Sequence, residues 1–277
     1  MVPMTQTDGD VDVERRGPIA VVTLNRPARK NAMNAHMWAA LGRAADALHA
    51  ATPRAVVLTG AGGAFSAGMD VSPDNPQVAG LIAAVANHDP APVRQMLNEI
   101  HAVLTRLFAL PVPIIAALDG LAYGGGAEIA ARCDLRIADP AAIFCFSEVR
   151  LGLMPDLGGG VALARLLGPA RAAELILTAR KVKAEEALQI GLVNQLSAAG
   201  EAVAAAAALA EQIAANGPQA VRGALAVLRQ AGGLPFRDAL ALELETAVAL
   251  IAGGECQTGI AAFLTRTQPN FPDVKAE

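Results

Sequence analysis

Aromatic side chains are scarce: one Trp, one Tyr and seven Phe make up 3% of 277 residues. A nucleic-acid-binding surface draws on basic clusters and stacking rings, and a chain with net charge −4 and no basic run offers neither. Cysteine is as sparse. Cys133, Cys145 and Cys256 are odd in number, widely spaced and without a CxxC pair, so neither a disulfide framework nor a metal site is suggested, and a cytoplasmic setting is expected. Charged residues make up only 17% and hydrophobic ones 53%, a balance that calls for a search for membrane spans. None emerges: Ala102–Leu118 is broken by Arg106, Pro111 and Pro113, and Ala202–Ala210 is too short to cross a bilayer. The segment Met1–Arg16 carries Asp8, Asp10, Asp12 and Glu14 where a secretory signal needs a basic start and an apolar run, and it is expected to be a frayed leader.

What is present is a long alternation of strand and helix patterns. Ile19–Leu24 and Arg54–Gly60 are short β-branched runs, and between them Met37, Leu41, Ala45 and Leu48 recur at helical spacing behind a capping Asn34. Strand, helix, strand predicts parallel pairing. The pattern continues with a helix over Val93–Leu110, a strand over Ile114–Leu118, a helix after Gly126, and two strands within Leu135–Phe146 split by Asp139 and Pro140. From about Ala198 strand signals stop, and helical runs over Glu201–Ala215, Gln219–Gln230 and Phe236–Ala252 follow. The expected organisation is an α/β body over residues 1–200 and a helical C-terminal region over 201–277. The stretch Pro73–Pro92 has four prolines and no clean period, and reads as a mobile insertion over a site.

Two glycine-rich segments each follow a buried strand: GAGGAFSAGMD at Gly60–Asp70 and DGLAYGGGAE at Asp119–Glu128. A strand end joined to a helix start leaves backbone N–H groups unpaired and converging, which suits a developing negative charge; tight packing at two turns would call for the same glycines. Two acids stand in apolar surroundings. Glu128 opens the helix AEIAAR, where it could simply complement the helix dipole, and Glu148 follows IFCFS, where an ion pair with Arg150 or Arg132 is the plain alternative to a catalytic task.

FSAGMD at Phe65–Asp70, DGLAYGGGAE at Asp119–Glu128 and FSEVRLGLMPDLGG at Phe146–Gly159 together resemble the enoyl-CoA hydratase/isomerase family, the crotonase superfamily. The resemblance runs from RPARKNAMN at Arg26–Asn34 through AEEALQIGLVNQL at Ala184–Leu196 to AFLTRTQPNF at Ala262–Phe271. It implies an α/β fold of ββα units wound as a spiral, with the residues beyond 200 serving oligomerisation as a trimer or a dimer of trimers. It also implies an acyl-CoA thioester substrate, with no separate cofactor because coenzyme A is part of that substrate. The thioester oxyanion would be held by the Met69 and Gly125 amides. Glu128 and Glu148 match the two glutamates with which the family's hydratases add water across an enoyl double bond. For the coenzyme the resemblance points to Arg26, Arg29 and Lys30 as partners of its phosphates, Ala64 as the backbone contact of adenine, and Phe263 as an aromatic cover. Ala67, Gly68, Asp70 and Gly124 complete the implied binding segments.

Two departures weigh against a simple hydratase reading. Ser147 stands where a proline usually precedes the second glutamate, and Asp156 stands where a glycine is common. Some isomerases of the family carry a catalytic aspartate at the Asp156 position, so double-bond isomerisation is the alternative. Three nearby carboxylates would also raise one another's pKa. A serine nucleophile at Ser66, within AFSAG, is the decoy: the elbow motif wants glycine at position 64, and none of the four histidines sits in a motif that marks it as a base. A non-catalytic thioester-binding protein is the rival from another class, and the presence of both glutamates argues against it.

Overall fold

A computed structural model describes residues 5–7 and 9–273. Ten strands run in chain order: β1 Thr5–Thr7, β2 Val11–Arg16, β3 Ile19–Leu24, β4 Ala55–Gly60, β5 Ile114–Leu118, β6 Leu121–Tyr123, β7 Leu135–Ala138, β8 Ile143–Cys145, β9 Val182–Lys183 and β10 Gln195–Leu196. Seven form one sheet in the order β1-β2-β3-β4-β5-β7-β10, and β6-β8-β9 form a second. The β3–β4, β4–β5, β5–β7 and β7–β10 pairs are parallel, as strands separated by helices require.

Each turn of the chain gives one strand to each sheet. β5 enters the large sheet and β6 the small one; β7 and β8 repeat the step. The chain after β4 does the same in miniature, because Ser66 makes an isolated parallel bridge to Ala122 of β6. The two strands within 135–146 therefore lie in different sheets.

Where it is described, the expected frayed leader is strand instead: Thr5–Thr7 pair with Asp12–Glu14. Val11 and Val13 are buried, and β2 pairs antiparallel with the whole of β3, from Val11 opposite Leu24 to Arg16 opposite Ile19. The alternation Val-Asp-Val is a period-two signal that the acidic composition obscured. Met1–Met4 and Asp8 lie outside the described residues.

Pro73–Pro92 also differs from expectation. Asn75 caps a helix over Pro76–Ala86 by accepting from Gln77 N, and a second helix, Ala91–Phe108, begins inside the same stretch. Pro76 and Pro92 each sit in a first helical turn, where a missing N–H costs nothing, so these prolines mark helix starts rather than loop. Only Ala84 of the first helix is buried, which explains why no clean apolar period was legible.

Helix Ala35–Ala50 is capped by Asn34, whose Oδ1 accepts from Met37 N at 3.0 Å. It packs Met37, Leu41 and Leu48 into the main core with Ile100, Leu104 and Leu107 of helix Ala91–Phe108. The other face of the large sheet is covered by helix Ala202–Ala214. Ala202, Ala206, Ala210 and Ala214 recur every fourth residue and lie against Val21, Val57, Ile115 and Ile137. Small side chains let that helix sit close to the strands. Beyond it come helices Pro218–Ala231, Phe236–Ala252 and Glu255–Thr265. Among the described residues no single helix is long and apolar enough to cross a membrane.

Candidate active site

The two glycine-rich segments meet. Met33 forms an isolated parallel bridge with Met69: Met33 N donates to Gly68 O at 2.7 Å, and Asp70 N donates to Met33 O at 2.9 Å. In extended backbone successive N–H and C=O groups alternate sides, so a bridge that uses Gly68 O and Asp70 N turns the Met69 N–H away from Met33. On that other side lies the start of helix Gly125–Arg132. A Cβ on Gly68 would stand 2.9 Å from Gly125 N and 2.8 Å from Tyr123 O, and Gly68 has φ +88°, so only glycine permits this approach. Gly125 occupies the first helical position, where its N–H has no intrahelical partner. Among the described residues, neither the Met69 nor the Gly125 amide donates to any protein group.

Asn31 sets the first segment and escaped the sequence reading. It is fully buried with φ +55°, a left-handed conformation that asparagine tolerates better than most residues. Its Nδ2 donates to Ala61 O at 2.9 Å and Ala64 O at 2.7 Å, and its Oδ1 accepts from Arg26 N at 2.8 Å. The Asn31 carbonyl accepts from Ser66 Oγ at 2.8 Å, and that Oγ accepts from Gly68 N at 3.1 Å. Ser66 is thus a buried strut, with no histidine among its partners. The only sequence signal for Asn31 was an uncharged polar residue inside RPARKNAMN.

Glu128 and Glu148 come together. Glu128 is 1% exposed, and its Oε1 accepts from Asp156 N at 3.2 Å while its Oε2 accepts from Leu157 N and Gly159 N, each at 2.9 Å. Gly159 is tied to this contact, since a Cβ there would collide with Glu128. Glu148 lies in the 3-10 turn Glu148–Leu151, is 9% exposed, and has both carboxylate oxygens buried with no hydrogen-bond partner. Its Oε1 is 3.5 Å from where a Gly124 Cβ would stand. Neither Arg150 nor Arg132 pairs with it: Arg132 donates to Leu157 O at 2.7 Å and lies over the Phe108 ring, 4.4 Å from its centroid.

Burial, then the charge of Glu148, pushes Glu128 from 4.5 up to about 8, against the pull of the Gly159 and Leu157 amides. Burial also raises Glu148, and Asp156 adds to both shifts. Asp156 itself is raised by partial desolvation of its carboxyl, although the residue is exposed and His101 opposes the shift. Two adjacent buried carboxyls whose pKa values are both raised hold a proton more tightly than free carboxyls do, which suits one to give a proton and the other to receive one. Asp156 joins this cluster through its backbone, its N–H on Glu128 and its carbonyl accepting from His101 Nε2 at 2.5 Å.

The residues expected at the coenzyme are scattered in their engagement. Arg26 is held inside the chain, 2.8 Å from Asp70 Oδ2 and donating to Ala32 O at 2.6 Å, so Arg26 and Asp70 satisfy each other. Arg29 is exposed and 3.5 Å from Asp74. Lys30 is exposed, and its carbonyl accepts from Ala67 N at 2.9 Å, which places its stem beside the first glycine segment. Ala64 is buried with its carbonyl on Asn31. Gly124, φ +51°, donates to Cys145 O at 2.9 Å and so fixes the helix start against β8. Phe263, on the last helix, is 82% exposed.

Two backbone donors and a carboxylate pair on the frame of two interlocked sheets define a fold as well as a site. The family model of enoyl-CoA hydratase/isomerase matches residues 14–274. The enoyl-CoA hydratase EchA19 of Mycobacterium tuberculosis is 34% identical over 95% of this chain and 96% of its own length. The short-chain-enoyl-CoA hydratase of Clostridium acetobutylicum is 37% identical over 89% of each chain. The crystal structure of enoyl-CoA hydratase from Bacillus anthracis superposes with a TM-score of 0.85 at 31% identity, covering 97% of this chain and all of that one (100%). Fold, sequence and the interlocked glycine segments agree: the chain belongs to the enoyl-CoA hydratase/isomerase family.

Proposed function

We propose that this enzyme adds water across the 2,3 double bond of a 2-enoyl-CoA. The observation that carries the reading is Glu148, a buried carboxylate with two unpaired oxygens beside a second glutamate. A buried polar group left unpaired in a native protein calls for an explanation, and beside a second carboxyl and two free backbone amides a substrate water that completes it supplies one. With the thioester carbonyl between the Met69 and Gly125 amides, electron density moves from the double bond onto the thioester oxygen as water attacks C3. One carboxylate of the Glu128–Glu148 pair takes the proton released by that water, and the other delivers a proton to C2 as the enolate collapses. The sum is H and OH added to the alkene, with both carboxyl groups restored by proton exchange. Each oxyanion donor is worth ~3 kcal/mol in the transition state.

Asp156 supports a second reading, double-bond isomerisation, because its raised carboxyl lies on the same loop whose amides hold Glu128. Turnover of crotonyl-CoA and longer enoyl thioesters in oxygen-18 water separates the two: hydration places the label on C3, whereas isomerisation returns a product of unchanged mass with a shifted double bond. A trimer or dimer of trimers belongs to the same reading, as does a cytoplasmic location. Helix Phe236–Ala252 buries none of its residues in the single chain and exposes Phe236, Leu240, Leu244, Val248 and Ile251, an apolar face that a second copy would cover. A concentration-independent mass near that of one chain in light scattering would overturn the assembly.

A further inference from the structure

We infer that Arg26 and Asp70 act as a positioning pair for the Met69 amide rather than as ligands of the coenzyme; the inference rests on the hydratase reading of the site. The Met33–Met69 bridge is short, two hydrogen bonds with no neighbouring ladder rung to support it. Arg26 spans it from outside. One guanidinium nitrogen, Nη1, reaches Ala32 O, the residue before Met33, and Asp70 Oδ2, the residue after Met69. The pair is largely buried, with side-chain exposures of 20% and 6%. A half-buried ion pair of this kind holds its geometry because removing one member leaves the other charge desolvated and unpaired.

Asp70 extends the hold in the other direction. Its Oδ1 accepts from Ser72 N at 3.0 Å and from Ser72 Oγ, and its carbonyl accepts from Asn75 Nδ2 at 2.6 Å. Asn75 is the cap of helix Pro76–Ala86. The peptide that carries the Met69 N–H is therefore fixed on one flank by Ser66 and Asn31 and on the other by Asp70, with Arg26 closing the frame. The Arg26 charge already faces the Asp70 carboxylate at 2.8 Å, whereas Lys30, nearby on the same turn, is exposed. An oxyanion donor acts through placement, and displacement by about 1 Å is enough to cost on the order of 10²-fold in rate.

The test compares crotonyl-CoA with crotonyl-pantetheine, a thioester without the nucleotide phosphates, across Arg26→Gln, Asp70→Asn and Arg26→Lys, with kcat expressed per folded chain by circular dichroism. A positioning pair predicts that Arg26→Gln and Asp70→Asn each lower kcat by roughly tenfold or more on both thioesters, with KM changed little. Arg26→Lys, which keeps a cation opposite Asp70, recovers part of the loss. A KM increase confined to the coenzyme A thioester would make Arg26 a phosphate ligand and overturn the inference, as would unchanged kcat, or a loss wholly accounted for by unfolded protein. Should either removal variant fail to fold, Asp70→Glu keeps the negative charge while moving it, and a fall in kcat larger than that of Arg26→Lys is expected on both thioesters. A second readout needs no turnover: a bound 4-dimethylaminocinnamoyl thioester shifts its absorption to the red when donors polarise its carbonyl. The wild type should give the shift and the variants a smaller one. Equal shifts sink the pair alone, whereas a wild type that neither binds nor turns over an enoyl thioester sinks the hydratase reading and the pair with it.

Discussion

The start of helix Gly125–Arg132 and the 3-10 turn Glu148–Leu151 each deliver one buried carboxylate to the same place, and they treat it in opposite ways. Glu128 receives three backbone amides from the loop 156–159, so its position is part of how that loop folds. Glu148 receives none. Burial is similar in the two, and partnership is not. A satisfied carboxylate contributes to stability and chemistry together, while an unsatisfied one costs stability and is retained for chemistry. The contrast assigns the two glutamates different signatures that measurement can separate.

The largest effect should come from removing the surface both acids serve. Gly125→Leu introduces a Cβ that would stand 2.8 Å from Leu157 Cδ1, the end of a flexible side chain, so the fold should adapt while the thioester is excluded from the amides. Steady-state kinetics should show turnover lower by roughly 10³-fold or more, with an unchanged circular dichroism spectrum. The contrast itself is broken or upheld by Glu128→Gln and Glu148→Gln. Each should reduce kcat by about 10²–10⁴-fold, the range for one positioned acid or base. Their melting should diverge. A glutamine at 128 turns an NH₂ toward backbone donors and should lose about 1–3 kcal/mol, whereas at 148 it relieves a buried charge and should leave the midpoint equal or higher. Indistinguishable melting curves would refute the distinction.

Titration gives a smaller, subtler signal. The folded state raises Glu128 from 4.5 to about 8, so between these values the folded chain binds more protons than the unfolded one. Stability from this group is then fully present below pH 4.5 and is lost as pH rises toward 8. Urea unfolding across that window should show wild-type stability falling with pH and a flatter slope in Glu128→Gln; parallel slopes would remove Glu128 as the source. The smallest effect is expected at Asp156, an exposed residue whose hold on Glu128 is through its backbone. Asp156→Asn should cost less than about tenfold in hydration. A variant as inactive as those of the glutamates would shift the chemistry toward isomerisation.

Much of this arrangement was legible before any coordinates. The strands Ile19–Leu24 and Ile114–Leu118, the Asn34 cap and the run of C-terminal helices follow from period and capping, which are local properties. Short strands were not. β6, β9 and β10 span three, two and two residues, too few for a period to register, and they exist because neighbouring backbone offers them partners. The helix Pro76–Ala86 was hidden because only one of its residues is buried.

The sequence by itself determined the family, the two glycine segments and the identity of both glutamates, since these depend on residue type and spacing along the chain. Only the tertiary structure decided which carboxylate is satisfied, that Arg26 belongs to Asp70, and that Asn31 and Ser66 brace the loop carrying Met69. The reason is one of distance. Glu128 and Gly159 are separated by thirty-one positions, Asn31 and Ala64 by thirty-three and Arg26 and Asp70 by forty-four, and whether two such groups meet is fixed by how two sheets interlock rather than by any pattern local to either segment.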